Sequence, residues 1–162
     1  MKRKILLSLV ISIMLGITYG QYDHYLYFTD RDAMTTRYLN VEDPSTIVDF
    51  PFTNLEKPYG IVADTVNNYL FVSDATAGKI YRYNFEGTHA LTILDVGVDP
   101  LVGYPYGLAM IDGKLYWGRE GAICRADFDG SNTQVFLFLD QSYAPQMAIG
   151  LAYNPDDNML YF

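Results

Sequence analysis

Few side chains in this 162-residue sequence are suited to covalent chemistry. Beside the serines, the candidates for a nucleophile and base pair are one cysteine, Cys124, and two histidines, His24 and His89. A nucleophile needs a base within hydrogen-bond reach. His24 precedes the first expected strand, His89 begins an outer strand, and Cys124 sits between Ile123 and Arg125 in a third strand. No pairing is expected among them, so no catalytic residue is assigned. No His-rich spacing suits zinc, and no Gly-rich loop suits a phosphate. Asp127-Phe128-Asp129-Gly130-Ser131-Asn132 has the opening of a calcium loop, but that loop needs a distal Glu. Gln134 and Leu139 stand nearby instead, so a turn is expected. Asn154-Pro155-Asp156-Asp157-Asn158 also reads as a turn, with acidity suited to a weak surface cation. No metal and no cofactor are expected.

What the sequence does repeat is a strand. Leu26-Tyr27-Phe28-Thr29-Asp30 returns as Leu70-Phe71-Val72-Ser73-Asp74, then as Leu115-Tyr116-Trp117-Gly118-Arg119, then as Leu160-Tyr161-Phe162. The leucine-to-leucine steps are 44, 45 and 45 residues. A fixed period of this length marks a modular array in which each unit covers its neighbour. The second unit resolves into four strands: Gly60 to Asp64, Tyr69 to Asp74, Lys79 to Tyr83 and His89 to Leu94. The third repeats them at Gly107 to Met110, Leu115 to Gly118, Ala122 to Ala126 and Thr133 to Leu139. The first supplies three, at 25–30, 36–41 and 45–50. The last supplies two, at 149–153 and 159–162. Four-stranded antiparallel units of this length are propeller blades. The expected fold is all-β, a β-propeller with two full and two partial blades of an expected six, in repeats near 25–50, 58–95, 105–140 and 147–162. Small residues at Gly60, Ala63, Gly107, Ala109, Gly150 and Ala152 suit inner strands crowded near an axis.

The repeats resemble the YWTD repeat, the class B repeat of the low-density lipoprotein receptor. That pattern is Leu-Tyr-Trp-Thr-Asp, then Ile-X-Arg, then Leu-Asp-Gly, then Pro-X-Gly-Leu-Ala-X-Asp. Here its later elements are Ile80-Tyr81-Arg82 and Ile123-Cys124-Arg125, Phe85-Glu86-Gly87 and Phe128-Asp129-Gly130, and Pro58 to Asp64 and Pro105 to Ala109. The resemblance implies an extracellular binding module whose propeller face engages a protein, peptide or glycan. It also implies that the motif Asp ties neighbouring blades. Asp30 and Asp74 keep that residue. Arg119 replaces it, so the seam there is expected to close differently or to be looser.

Ligands of propellers meet a face built by two sets of loops, here near 53–59, 97–106 and 141–148 and near 30–35, 74–78 and 118–121. Tyr59 and Tyr106 hold the same slot, one residue before the inner-strand glycine; Ile149 holds its third copy. Tyr suits binding surfaces through its rigid area and polar tip, but these rings could equally pack between blades. Asp30, Arg31, Asp74, Arg119 and Glu120 complete the candidate ligand-binding set, with a solvated loop as the other reading.

Lys2, Arg3 and Lys4 followed by the apolar run from Ile5 to Ile17 resemble a signal peptide over 1–20, and the run is short for a membrane span, which needs about 20 residues. A retained anchor is the alternative. Secretion, and no membrane insertion after cleavage, are expected. Removing the three basic residues takes the net charge from −8 to −11, since eight basic and nineteen acidic residues remain. With no basic cluster, nucleic acid is not an expected partner. A single cysteine gives no internal disulfide framework, and Cys124 is expected to be a packed structural thiol. Self-association through open blade edges is expected if the array is unfinished. Two further functions stay open: a purely structural segment of a larger surface protein, and a lactonase- or lyase-type propeller enzyme.

Overall fold

The computed structural model describes residues 25–52, 55–87, 90–96, 99–140 and 146–162. The expected signal segment, His24 and His89 lie outside these residues. The described residues form strands and turns with no helix. Blade 1 has β1 (Tyr25–Asp30), β2 (Thr35–Asn40) and β3 (Asp43–Asp49). Blade 2 has β4 (Pro58–Asp64), β5 (Tyr69–Asp74), β6 (Lys79–Asn84) and β7 (Ala90–Asp95). Blade 3 has β8 (Leu108–Ile111), β9 (Lys114–Arg119), β10 (Ala122–Asp127) and β11 (Gln134–Phe138). Blade 4 has β12 (Ala152–Asn154) and β13 (Met159–Tyr161). Within each sheet the strands lie in chain order and pair antiparallel.

The recurring Leu-aromatic strand is the second strand of blades 2, 3 and 4 and the first described strand of blade 1. Successive side chains of a strand point to opposite faces. In β5, Leu70 and Val72 pack toward blade 1 while Phe71 packs toward blade 3. Both faces are covered, so the strand is apolar almost throughout rather than alternating. β11, at the rim, leaves Phe136, Leu137 and Phe138 exposed. Asp112 and Gly113 both take positive φ, 48° and 75°, which a two-residue type I′ hairpin requires.

Three apolar cores fill the three seams. Phe50, Phe52 and Leu55 meet Ile61, Leu70, Val72 and Tyr83 between blades 1 and 2, with Phe52 stacked on Tyr83 at 3.6 Å. Phe71, Ile80 and Leu94 meet Leu115 and the fully buried Trp117 between blades 2 and 3. Tyr116, Ile123 and Leu139 meet Ala148 and Leu151 between blades 3 and 4.

The inner strands approach one another at backbone distance. A Cβ on Gly60 would lie 2.5 Å from the Tyr106 carbonyl, and one on Gly107 would lie 2.6 Å from the Ile149 carbonyl. Any larger residue at either position would push the next blade outward. The inner strand expected at 149–153 is shorter than that. It pairs only opposite Met159–Tyr161 and so spans Ala152–Asn154.

Candidate binding site

The two tyrosine slots lie side by side at the blade ends. Thr29 Oγ1 of blade 1 donates to the Tyr59 carbonyl at 2.8 Å, and Ser73 Oγ of blade 2 donates to the Tyr106 carbonyl. The motif hydroxyl of one blade thus pins the backbone of the next blade's tyrosine. The two rings then meet edge-to-face, centroids 5.1 Å apart, the arrangement their quadrupoles favour. Arg31, in the β1–β2 turn, donates from Nη1 to the Tyr59 hydroxyl at 3.1 Å, and its guanidinium lies 5.7 Å from that ring's centroid. The Tyr59 hydrogen bond is the chief reason Arg31 titrates above its ordinary range. Burial pushes the Tyr106 phenol up, with Tyr59, Glu120 and Tyr104 adding to the rise. Ile149, in the third copy of the slot, is exposed.

The charged candidates divide. Arg31 and Glu120 are exposed. Asp74 is fully buried. Its carboxylate accepts from the backbone of Glu56 at 2.6 Å, Lys57 at 3.0 Å and Ala77 at 3.1 Å. It therefore clasps the connection that arrives from blade 1. Asp30 accepts from its own turn, at the amides of Asp32 and Ala33, and from Arg37 Nη1 at 2.6 Å.

Arg119 folds back into the seam between blades 2 and 3. Its Nε donates to Cys124 Sγ at 3.4 Å, and the Cys124 thiol donates to the Leu101 carbonyl at 3.4 Å. One link later in the same connection, Trp117 Nε1 donates to the Val102 carbonyl at 2.9 Å. A Cβ on Gly103 would sit 2.8 Å from Arg119 Cδ. The seam that lacks the motif Asp is closed differently rather than left loose. Burial raises the Cys124 thiol from its ordinary value of 9.0, with the Arg119 hydrogen bond pulling the other way. It is a packed, protonated relay.

The neighbour of the motif's fifth residue is set by strand pairing and not by the motif. Phe28 pairs with Arg37 across β1 and β2, Val72 with Tyr81 across β5 and β6, and Trp117 with Cys124 across β9 and β10. The pairs Asp30–Arg37, Asp74–Tyr81 and Arg119–Cys124 therefore occupy one repeated site. Where the fifth residue grows from Asp to Arg, its neighbour shrinks from Tyr to Cys. Reading the two columns together, rather than Arg119 alone, points to Cys124.

Two features of the mouth escaped the motif. Tyr104 lies in the connection just before Tyr106 and is 58% exposed. At the third seam Gly118 replaces the motif hydroxyl, and a Cβ there would collide with the Ala148 carbonyl. The chain at 146–148 instead runs onto blade 3, with Gly121 donating to the Gln146 carbonyl at 2.8 Å and Glu120 bridging Met147.

No family model matches the chain. Over 64 residues it is 34% identical to the vitellogenin receptor Yl of Drosophila melanogaster, a stretch covering 40% of this chain and 3% of the receptor. Among solved structures, a chain of a nidogen/laminin complex superposes with a TM-score of 0.72 at 20% identity, covering 86% of this chain and 52% of that one. Virginiamycin B lyase of Staphylococcus aureus superposes with a TM-score of 0.63 at 18% identity, covering 87% of this chain and 45% of the lyase. At such identities the structural likeness is one of fold. The chain spans about half the length of these structural relatives.

Proposed function

We propose that this chain, whose blades are YWTD-type β-propeller blades, acts as a non-enzymatic extracellular binding module. The mouth face engages a protein, peptide or glycan partner through Arg31, Tyr59, Tyr106 and Glu120. The observation that carries this reading is the seam-pinned tyrosine pair: two rings from successive blades, each fixed by its neighbour's hydroxyl, flanked by an exposed guanidinium. Such a surface is rigid before a partner arrives, so little entropy is lost on binding. Asp30, Asp74 and Arg119 serve it from beneath by holding the turns and connections in place. The receptor and nidogen/laminin likenesses support an extracellular setting and a protein partner. The Cys124 thiol, protonated and hydrogen-bonded on both sides, supports the non-enzymatic reading. Exposed Phe136 and Phe138 on the rim strand of blade 3 support self-association as part of the proposal.

The test is selection of peptide binders from a random display library against the whole chain. Tyr59→Ala and Tyr106→Ala should weaken the selected binders about tenfold or more. Glu86→Ala, in the turn at the opposite end of blade 2, should leave them unchanged. Binders indifferent to both tyrosines would reject this face.

A further inference from the structure

The geometry points to a cation-accepting aromatic site at the third-blade side of this mouth, formed by Tyr104, Tyr106 and Glu120 and built for a lysine or arginine side chain of a basic protein partner. The inference rests on the mouth being the binding face and adds which chemistry it selects.

Tyr59 already shows how this surface treats a cation: the Arg31 guanidinium lies against it. Tyr106 stands edge-to-face to that ring with no intramolecular cation on it among the described residues. Its backbone amide donates to the Gly118 carbonyl at 2.8 Å. Glu120 follows two residues beyond Gly118, and Tyr104 precedes Tyr106 by two, so all three come to the same end of blade 3. The Tyr106 phenol senses both of them. Tyr104 and Glu120 are exposed, and among the described residues no ion pair engages the Glu120 carboxylate. Two tyrosine rings beside an unpaired carboxylate attract a cation through ring quadrupole and charge together. Asp30 and Asp74 do not compete as anchors, because they are taken up by backbone amides and Arg37. The net charge of −8 steers basic partners toward the molecule as a whole.

The probe is a fluorescein-labelled peptide of alternating alanine and lysine, compared with the same peptide acetylated on every lysine. Binding to the whole chain is read by fluorescence anisotropy at 50 mM salt. The lysine peptide should bind at least about tenfold tighter than the acetylated one. Glu120→Gln and Tyr106→Leu should each remove most of that preference, and Tyr106→Phe, which keeps the ring, should restore it. Asp156→Asn, the same charge change in the β12–β13 turn, should leave it intact. Equal binding of the two peptides, or equal effects of Glu120→Gln and Asp156→Asn, overturns the cation site. If Tyr106→Leu then weakens both peptides alike, the mouth still binds and only its selectivity is wrong. If neither peptide responds to Tyr59→Ala or Tyr106→Leu, the cation site falls along with any role of the mouth for these probes.

Discussion

Blades 2 and 3 fold alike, strand for strand, yet they fasten their incoming connections by opposite means. In blade 2 the fastener is a buried anion: Asp74 accepts three backbone N–H groups and draws the 56–57 segment onto the end of β5. In blade 3 it is a cation, a weak thiol donor and an indole N–H. Arg119, Cys124 and Trp117 reach the 101–103 segment through a thiol, an indole and packed methylenes. The repeated slot is conserved as a place where the connection must be held, while its chemistry is free to change if its neighbours change with it. Glu56 and Tyr81 surround the Asp; Gly103 and Cys124 surround the Arg.

The harshest way to break the comparison is to force blade 3's chemistry into blade 2. Asp74→Arg places an unpaired charge where the side chain is fully buried and strands the amides of Glu56, Lys57 and Ala77. The expected cost is about 5 kcal/mol, enough to unfold the blade. Tyr81→Cys in the same chain should recover about 1–2 kcal/mol, because it supplies the space and the sulfur that Arg119 enjoys. Soluble yield and urea midpoints of the single and double variants decide this. No recovery would mean that the paired columns are a coincidence of the repeat.

Next in size is Trp117→Ala. The indole is fully buried in the core between blades 2 and 3, and its N–H holds the Val102 carbonyl. A loss of about 3–5 kcal/mol is expected in urea unfolding. Val72, the same position in blade 2, is also fully buried but much smaller. Its truncation to alanine should cost about half as much, which makes blade 3's seam the more dependent on a single side chain.

The two fasteners should also differ in their response to pH. The Cys124 thiol is raised in the folded protein. Below the unfolded thiol's pKa the proton is bound in both states and the full contribution is present. As pH rises above that, the unfolded chain releases its proton first, so stability falls until the folded thiol also ionises. The Tyr83 phenol, raised by burial, contributes a loss of the same sign at still higher pH. Urea midpoints measured from pH 7 to 10.5 should decline, and Cys124→Ser, whose hydroxyl does not titrate there, should flatten the earlier part of that decline. A parent and serine variant with parallel profiles would show that the thiol proton is irrelevant to the seam.

These contrasts mark how far the sequence could be read. The four-strand blades and the order of their strands follow from the 44- and 45-residue steps, because a repeat must present the same faces to the same neighbours. The tyrosine slots were legible for the same reason. What lay hidden were pairings across the ladder and contacts made by connections. Cys124 read as an ordinary strand residue, because Arg119 reaches it diagonally across the ladder, past its own register partner Ala122. Val102 and Tyr104 align with Leu55 and Lys57 of the previous connection, but these positions lie outside the repeated motif, so it did not single them out. The hydroxyl-to-carbonyl pins at Thr29 and Ser73 depend on how closely two blades approach, which a one-dimensional pattern does not encode.

The smallest expected effect is the most discriminating. Arg119→Asp installs the residue that Asp30 and Asp74 hold in the other repeats and, by motif alone, should strengthen blade 3. The geometry predicts the reverse, a loss of about 1 kcal/mol in urea unfolding. In blade 2 the connection is pressed close enough for the Glu56 amide to lie 2.6 Å from the carboxylate. In blade 3 the aligned residue is Gly103, and the Arg119 methylenes occupy the space against it. A shorter Asp leaves a gap there, removes the donor to Cys124, and places a carboxylate beside a sulfur that hydrogen-bonds only to Leu101. The connection cannot collapse to meet it without pulling Val102 out of the core, where it is fully buried, and breaking its bond to Trp117. A variant as stable as the parent would show that the anion clasp is available in both blades, and that the Arg119–Cys124 chain adds nothing a carboxylate cannot replace.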